Sequence, residues 1–133
     1  MGDDMGKLLR AYLRLLAVLT ILSCLGLLFL PRQLGARTPW GTAPGWQREI
    51  AIWDLTMYIL IVRTLRNADA VAARLLVTAL VVLNLLVAAN HFAAVMQGSG
   101  ASLNTIAGAI NIGSGTLGLV ALWRKTNDLP SRL

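Results

Sequence analysis

From Leu75 to Met96 the chain runs for twenty-two residues without an Asp, Glu, Lys or Arg, and from Leu103 to Trp123 for another twenty-one. A helix rises ~1.5 Å per residue and the hydrocarbon core of a bilayer is ~30 Å thick, so about twenty apolar residues cross it. Each run is therefore long enough to span a membrane. A third apolar stretch, Ala11–Leu30, is broken only by Arg14. The first span is read as uncleaved: its apolar run exceeds the ~7–15 residues usual for a signal peptide. A fourth stretch, Ile50–Val62, contains Asp54 and reaches Leu65 only by running past Arg63, which as an end residue can snorkel to the headgroups. The alternative for this stretch is an amphipathic helix lying in the interface.

Composition agrees with lipid as the solvent. The 133 residues are 56% hydrophobic and 14% charged, against roughly 45–50% and 25% in an average soluble domain. Disorder is excluded by the same figures. A lone Cys24 closes no intrachain disulfide, and one Cys with one His builds no structural zinc site.

Four spans place the two ends and the connection between spans two and three on one side. That side carries Lys7, Arg10, Arg14, Arg63, Arg66, Arg74, Arg124, Lys125 and Arg132, and the other carries Arg32, Arg37 and Arg48, which accounts for all 12 basic residues. The positive-inside rule makes the side with nine cytoplasmic. The expected fold is thus all-α: one integral membrane four-helix bundle over residues 1–133, with cytoplasmic N- and C-termini. Its spans lie at about 11–30, 50–65, 75–96 and 103–123, with an outer loop at 31–49. The net charge of +6 is read as topology and contact with anionic headgroups. Nucleic-acid binding is not expected, because the basic residues are split among three short segments.

The outer loop holds Pro31, Pro39 and Pro44 and is expected to be irregular. Trp46, Trp53 and Trp123 suit interfacial anchors; a sharper reading makes Trp40 and Trp46 a lid over an outward pocket. The short polar link Arg66-Asn67-Ala68-Asp69 predicts spans two and three as antiparallel neighbours, and the uncharged Gly/Ser hinge at 97–102 joins three and four. In span four, Asn104, Gly108, Asn111, Gly115 and Gly118 recur at steps of four and three, on one helical face. In lipid, small residues let backbones approach and Asn side chains bond across the contact, so this face is read as helix packing, within the bundle or between two copies.

Polar residues gather at one depth. His91 lies five residues before Met96, about 7–8 Å below the outer boundary; Asp54, four residues after Ile50, lies about 6 Å down; Asn111 lies about 10–12 Å down. Asp54, Tyr58, Asn90, His91 and Asn111 form the candidate outward-facing polar pocket. An ionisable residue inside a span is a functional candidate, because it is costly unless paired or solvated. The other reading is structural: Asp54 hydrated near the interface, and His91 bonded to a neighbouring helix. No catalytic nucleophile with a base at motif spacing, no nucleotide-binding Gly loop and no paired cysteines occur, so no catalytic residue, metal or cofactor is assigned.

The long loop after the first span, the Arg-rich turn Arg63-Thr64-Leu65-Arg66, and Asn90-His91-Phe92 near the outer end of the third span resemble the small four-helix bacterial membrane proteins of the DoxX-like and BphX-like kind. The resemblance covers most of the chain as architecture. It implies a multi-pass protein of the bacterial cytoplasmic membrane and an accessory subunit more than a stand-alone enzyme. The expected role is a non-catalytic accessory or assembly subunit, with a membrane-protein partner or a second copy, and a lipid or apolar ligand in the outer half. The alternatives are a proton-coupled transporter or a lipid-substrate membrane enzyme using Asp54 and His91.

Overall fold

The computed structural model describes residues 5–36, 41–97 and 101–127, with side chains at 101–102 and 124–127 left aside. Every element among them is helical: α1 (Lys7–Phe29), α2 (Pro31–Gly35), α3 (Pro44–Asn67), α4 (Ala70–Met96) and α5 (Ala101–Asn127). Among the described residues, three stretches are long and apolar enough to cross a membrane: Lys7–Phe29, Ala70–Met96 and Leu103–Trp123. The helix α3 matches them in length but carries Arg48, Glu49, Asp54, Arg63 and Arg66.

Local chemistry sets the ends of these helices. Pro31 follows α1 and opens α2, and Pro44 opens α3. Proline at a first helical position gives up an N–H that has no intrahelical partner anyway, and its fixed φ suits the helix. Pro31 and Pro44 therefore start helices, and the segment 31–49 is not the wholly irregular loop expected from its composition. Between α3 and α4 the chain reverses through Ala68 in the left-handed region (φ 54°). Asp69 then caps α4, its Oδ1 accepting from the Val71 and Ala72 N–H groups at 2.9 and 3.1 Å.

The helices pack as two pairs, α1 with α3 and α4 with α5. One core joins the pairs. It contains Leu9, Tyr12, Leu13, Leu16 and Ala17 of α1, Ile61 of α3, Ala73, Val77, Leu80 and Val81 of α4, and Ala121 of α5. These residues come from the beginnings of α1 and α4 and the ends of α3 and α5. The shared core thus lies toward one end, the end that carries Lys7, Arg10, Arg14, Arg63, Arg66 and Arg74. We call it the basic end, and the other the loop end. Although a tight turn links them, α3 and α4 make few contacts, and α1 is the main partner of α3. Spans two and three do touch, as expected, but the main partner of α3 is α1: a short link fixes direction, while side-chain fit chooses the partner.

Close approach is concentrated on one face of α5. Gly108 lies against the Phe92 ring and Gly115 against Leu85, both of α4. Gly118 is met from two sides, by Val81 of α4 and by the Tyr12 ring of α1; a Cβ built there would collide with Val81 and lie 2.8 Å from the Tyr12 hydroxyl. Gly113, on another face, has open space around it. Gly118→Ala is expected to cost about 1–3 kcal/mol through overpacking, read as a lower thermal midpoint in detergent. Gly113→Ala is expected to leave the midpoint unchanged.

Candidate functional site

Where polar side chains occur on these apolar helices, many bond to their own helix. Asn84 donates to Leu80 O at 2.7 Å, Asn111 to Ala107 O at 2.8 Å, Thr20 to Leu16 O at 2.7 Å and Thr78 to Arg74 O at 2.9 Å. Apolar surroundings supply no water, so a carbonyl one turn back is the nearest available partner.

Other polar contacts cross between helices toward the loop end. His91 of α4 places Nδ1 3.0 Å from Oδ1 of Asn104 on α5. Asn104 is fully buried and His91 half-buried. An amide oxygen only accepts, so with the amide so placed the ring donates from Nδ1. The contact lies on the most extensive helix pair of the fold.

A second contact lies in the α1–α3 pair. The inward row of α3 is Gln47, Ala51, Asp54, Met57, Tyr58, Ile61 and Leu65, all buried or half-buried. Steps of three and four keep these residues on one face, so Asp54 is turned toward α1. There the Ser23 side chain hydrogen-bonds its carboxyl group. The other oxygen, Oδ2, is buried without a hydrogen-bond partner. Two turns nearer the loop, Gln47 donates from Nε2 to Pro31 O at 2.8 Å, pinning the start of α3 to α2. Gly35 leaves the room this requires, since a Cβ there would lie 2.7 Å from Gln47 Nε2 and 2.8 Å from Gly41 O.

The five residues of the sequence-based pocket are therefore divided among separate settings. Asp54 faces Ser23 in one helix pair, and His91 pairs with Asn104 in the other. Tyr58 packs against the shared core. Asn90 is exposed, and Asn111 bonds its own helix. No contact between α3 and α5 occurs among the described residues, so Asp54 and Asn111 sit on helices that do not touch. Asn104, read from sequence as packing alone, is also the hydrogen-bond partner of His91. The signal for it was positional: both residues lie within two turns of the link between α4 and α5. Ser23 had a weaker signal, a hydroxyl two turns before Pro31 in an otherwise apolar run.

Trp46, Trp53 and Trp123 are exposed. Trp40, the other half of the suggested lid, lies outside the described residues. Among the described residues no three His, Cys, Asp or Glu gather closely enough to hold a metal ion. No family model, curated protein or solved structure matches this chain.

Side-chain hydrogen bonds between membrane helices are worth about 0.6 kcal/mol on average, and at most about 1.7. A double-mutant cycle of His91→Phe and Asn104→Ala, read by thermal unfolding in detergent, is expected to return a coupling in that range. His91→Phe paired with Asn111→Ala is expected to return none.

Proposed function

We propose that this chain is a multi-pass protein of the bacterial cytoplasmic membrane, crossing it four times with both termini in the cytoplasm. In this reading it is a non-catalytic accessory or assembly subunit. Three of its helices have the length and apolarity to cross. The fourth, α3, measures about 36 Å at 1.5 Å per residue, enough to reach across with its charges near the two ends and Asp54 turned toward α1. The nine-to-three distribution of basic residues supports the orientation. So does the position of the shared core, which gathers the basic segments at one end.

The single observation that carries the accessory role is how the ionisable and amide side chains are used. His91 and Asn104 satisfy one another, Asn84 and Asn111 bond their own helices, and Asp54 and His91 belong to different helix pairs. A catalyst or a proton relay needs such groups converging on one reacting position. Here they hold helices together instead. Meanwhile the loop-end faces present exposed Leu22, Phe29, Ile52 and Trp53; these suit lipid, an apolar ligand or a partner's helices. The resemblance to DoxX-like and BphX-like proteins supports the same reading.

One observation favours the alternative of a proton-coupled transporter: the buried, unpartnered Oδ2 of Asp54. The two readings separate in one experiment. The tagged chain is extracted from its native membrane in mild detergent and quantified by mass spectrometry, in parallel with the purified chain in liposomes. The accessory reading expects a membrane-protein partner in fixed stoichiometry, retained by Asp54→Asn. Purification of the chain alone, with substrate-dependent proton flux that Asp54→Asn abolishes, overturns it.

A further inference from the structure

Asn90 of α4 is exposed, in contrast with Asn84 of the same helix and Asn111 of α5, which are half-buried and donate to carbonyls of their own helices. Among the described residues its amide has no hydrogen-bond partner. It stands seven residues beyond Leu83, the midpoint of α4, or about 10 Å along the axis. Half the hydrocarbon thickness is about 15 Å, so the amide meets acyl chains rather than water. There it loses the hydrogen bonds of water and gains none in return. Asn90 also belongs to a row. Ala79, Leu83, Leu86, Asn90, Ala93 and Gln97 follow one another at steps of four and three, and all are exposed, Leu83 at 49% and Leu86 at 66%. Those steps keep the row on one face, away from Val77, Val81 and Ala88, which are buried. Alternating steps of four and three are the seam of a helix pair, here apolar with a single amide inside the helix.

We propose that this face of α4 is the interface of a homodimer: two copies meet along α4 about a twofold axis perpendicular to the membrane, and their Asn90 amides bond one another across it. The inference rests on the membrane placement proposed above. The chemistry of the amide selects a second copy. An amide carries both a donor and an acceptor, so two Asn90 side chains related by a twofold axis satisfy each other, Nδ2 donating to Oδ1 in both directions. Copies inserted in one orientation bring their α4 helices together in parallel, the arrangement in which one amide at a seam position fixes register and oligomeric state. Ala79 and Ala93 let the backbones approach on either side of the larger Leu83 and Leu86. The glycine face of α5 is not available for this purpose, because Gly108 and Gly115 lie against α4 and Gly118 against α4 and α1.

The test uses the full chain on a Cys24→Ala background, reconstituted in phosphatidylcholine liposomes. Labelled at Thr42→Cys and counted by single-molecule photobleaching over a range of dilutions, the chain is expected to form dimers. Asn90→Leu is expected to weaken the dimer about ten-fold, as two symmetric bonds of ordinary strength for membrane helices would. Thr56→Leu removes an exposed hydroxyl that bonds its own helix on α3, and is expected to leave the dimer unchanged. Oxidative cross-linking of unlabelled chains locates the face: Leu86→Cys is expected to yield a disulfide-linked dimer, and Ile110→Cys, also exposed but on α5, none. Monomers at every dilution overturn the proposal. So do dimers that Asn90→Leu leaves as strong as before, or that Thr56→Leu weakens equally. Cross-linking through Ile110→Cys as efficient as through Leu86→Cys overturns it too, even if Asn90→Leu fails to fold. Failure of the membrane placement has a different signature: the chain remains monodisperse after detergent is withdrawn.

Discussion

The two helix pairs meet mainly through α1, and that junction is tight at Gly118. There the backbone of α5 has no side chain, Val81 of α4 presses in from one side and the Tyr12 ring of α1 from the other. Lipid tails are as apolar as leucine, so helices in a bilayer gain little from burying apolar surface against one another. Close backbone approach and interhelical hydrogen bonds decide the packing instead. A glycine where three helices meet is the first of these devices; the Gly108–Phe92 and Gly115–Leu85 contacts extend it along the α4–α5 seam.

Hydrogen bonds supply the second device, and they act farther toward the loop. The core shared by both pairs takes α1 no farther than Leu19 and α4 no farther than Val81. Beyond that level each pair has its own fastening: His91 to Asn104 in α4–α5, Ser23 to Asp54 in α1–α3, and Gln47 to Pro31 where α3 begins. The chain is thus joined across all its long helices at the basic end and pairwise at the loop end. That division explains why polar residues at similar depth do not form one site. Depth along a span is one coordinate; the helix pair to which a residue belongs is another.

The long apolar runs and the charge distribution were legible directly, because span length and basic residues follow from the thickness and potential of a bilayer. The glycine face of α5 was legible for the same kind of reason: Asn104, Gly108, Gly115 and Gly118 repeat at helical spacing, and no neighbour is needed to see that. Partner choice was not legible. The link Arg66–Asp69 is short, yet α3 turns its row of Ala51, Asp54 and Ile61 to α1 rather than to α4. That choice depends on side-chain fit between segments far apart in sequence. The helical content of segment 31–49 was hidden by a rule applied too broadly. Proline ends a helix that reaches it from behind, but Pro31 and Pro44 each occupy a first turn.

The central claim is that α3 crosses the membrane, so that the chain passes through it an even number of times. Cysteine accessibility tests this most directly, because Thr42 and Asn67 are exposed at opposite ends of α3 and the native Cys24 is buried. On a Cys24→Ala background, Thr42→Cys and Asn67→Cys are challenged with a membrane-impermeant maleimide in right-side-out vesicles. The account predicts that Thr42→Cys reacts at once and that Asn67→Cys reacts only after the vesicles are opened. Reaction of both in sealed vesicles, or protection of both until opening, would place the two ends of α3 on one side and contradict it.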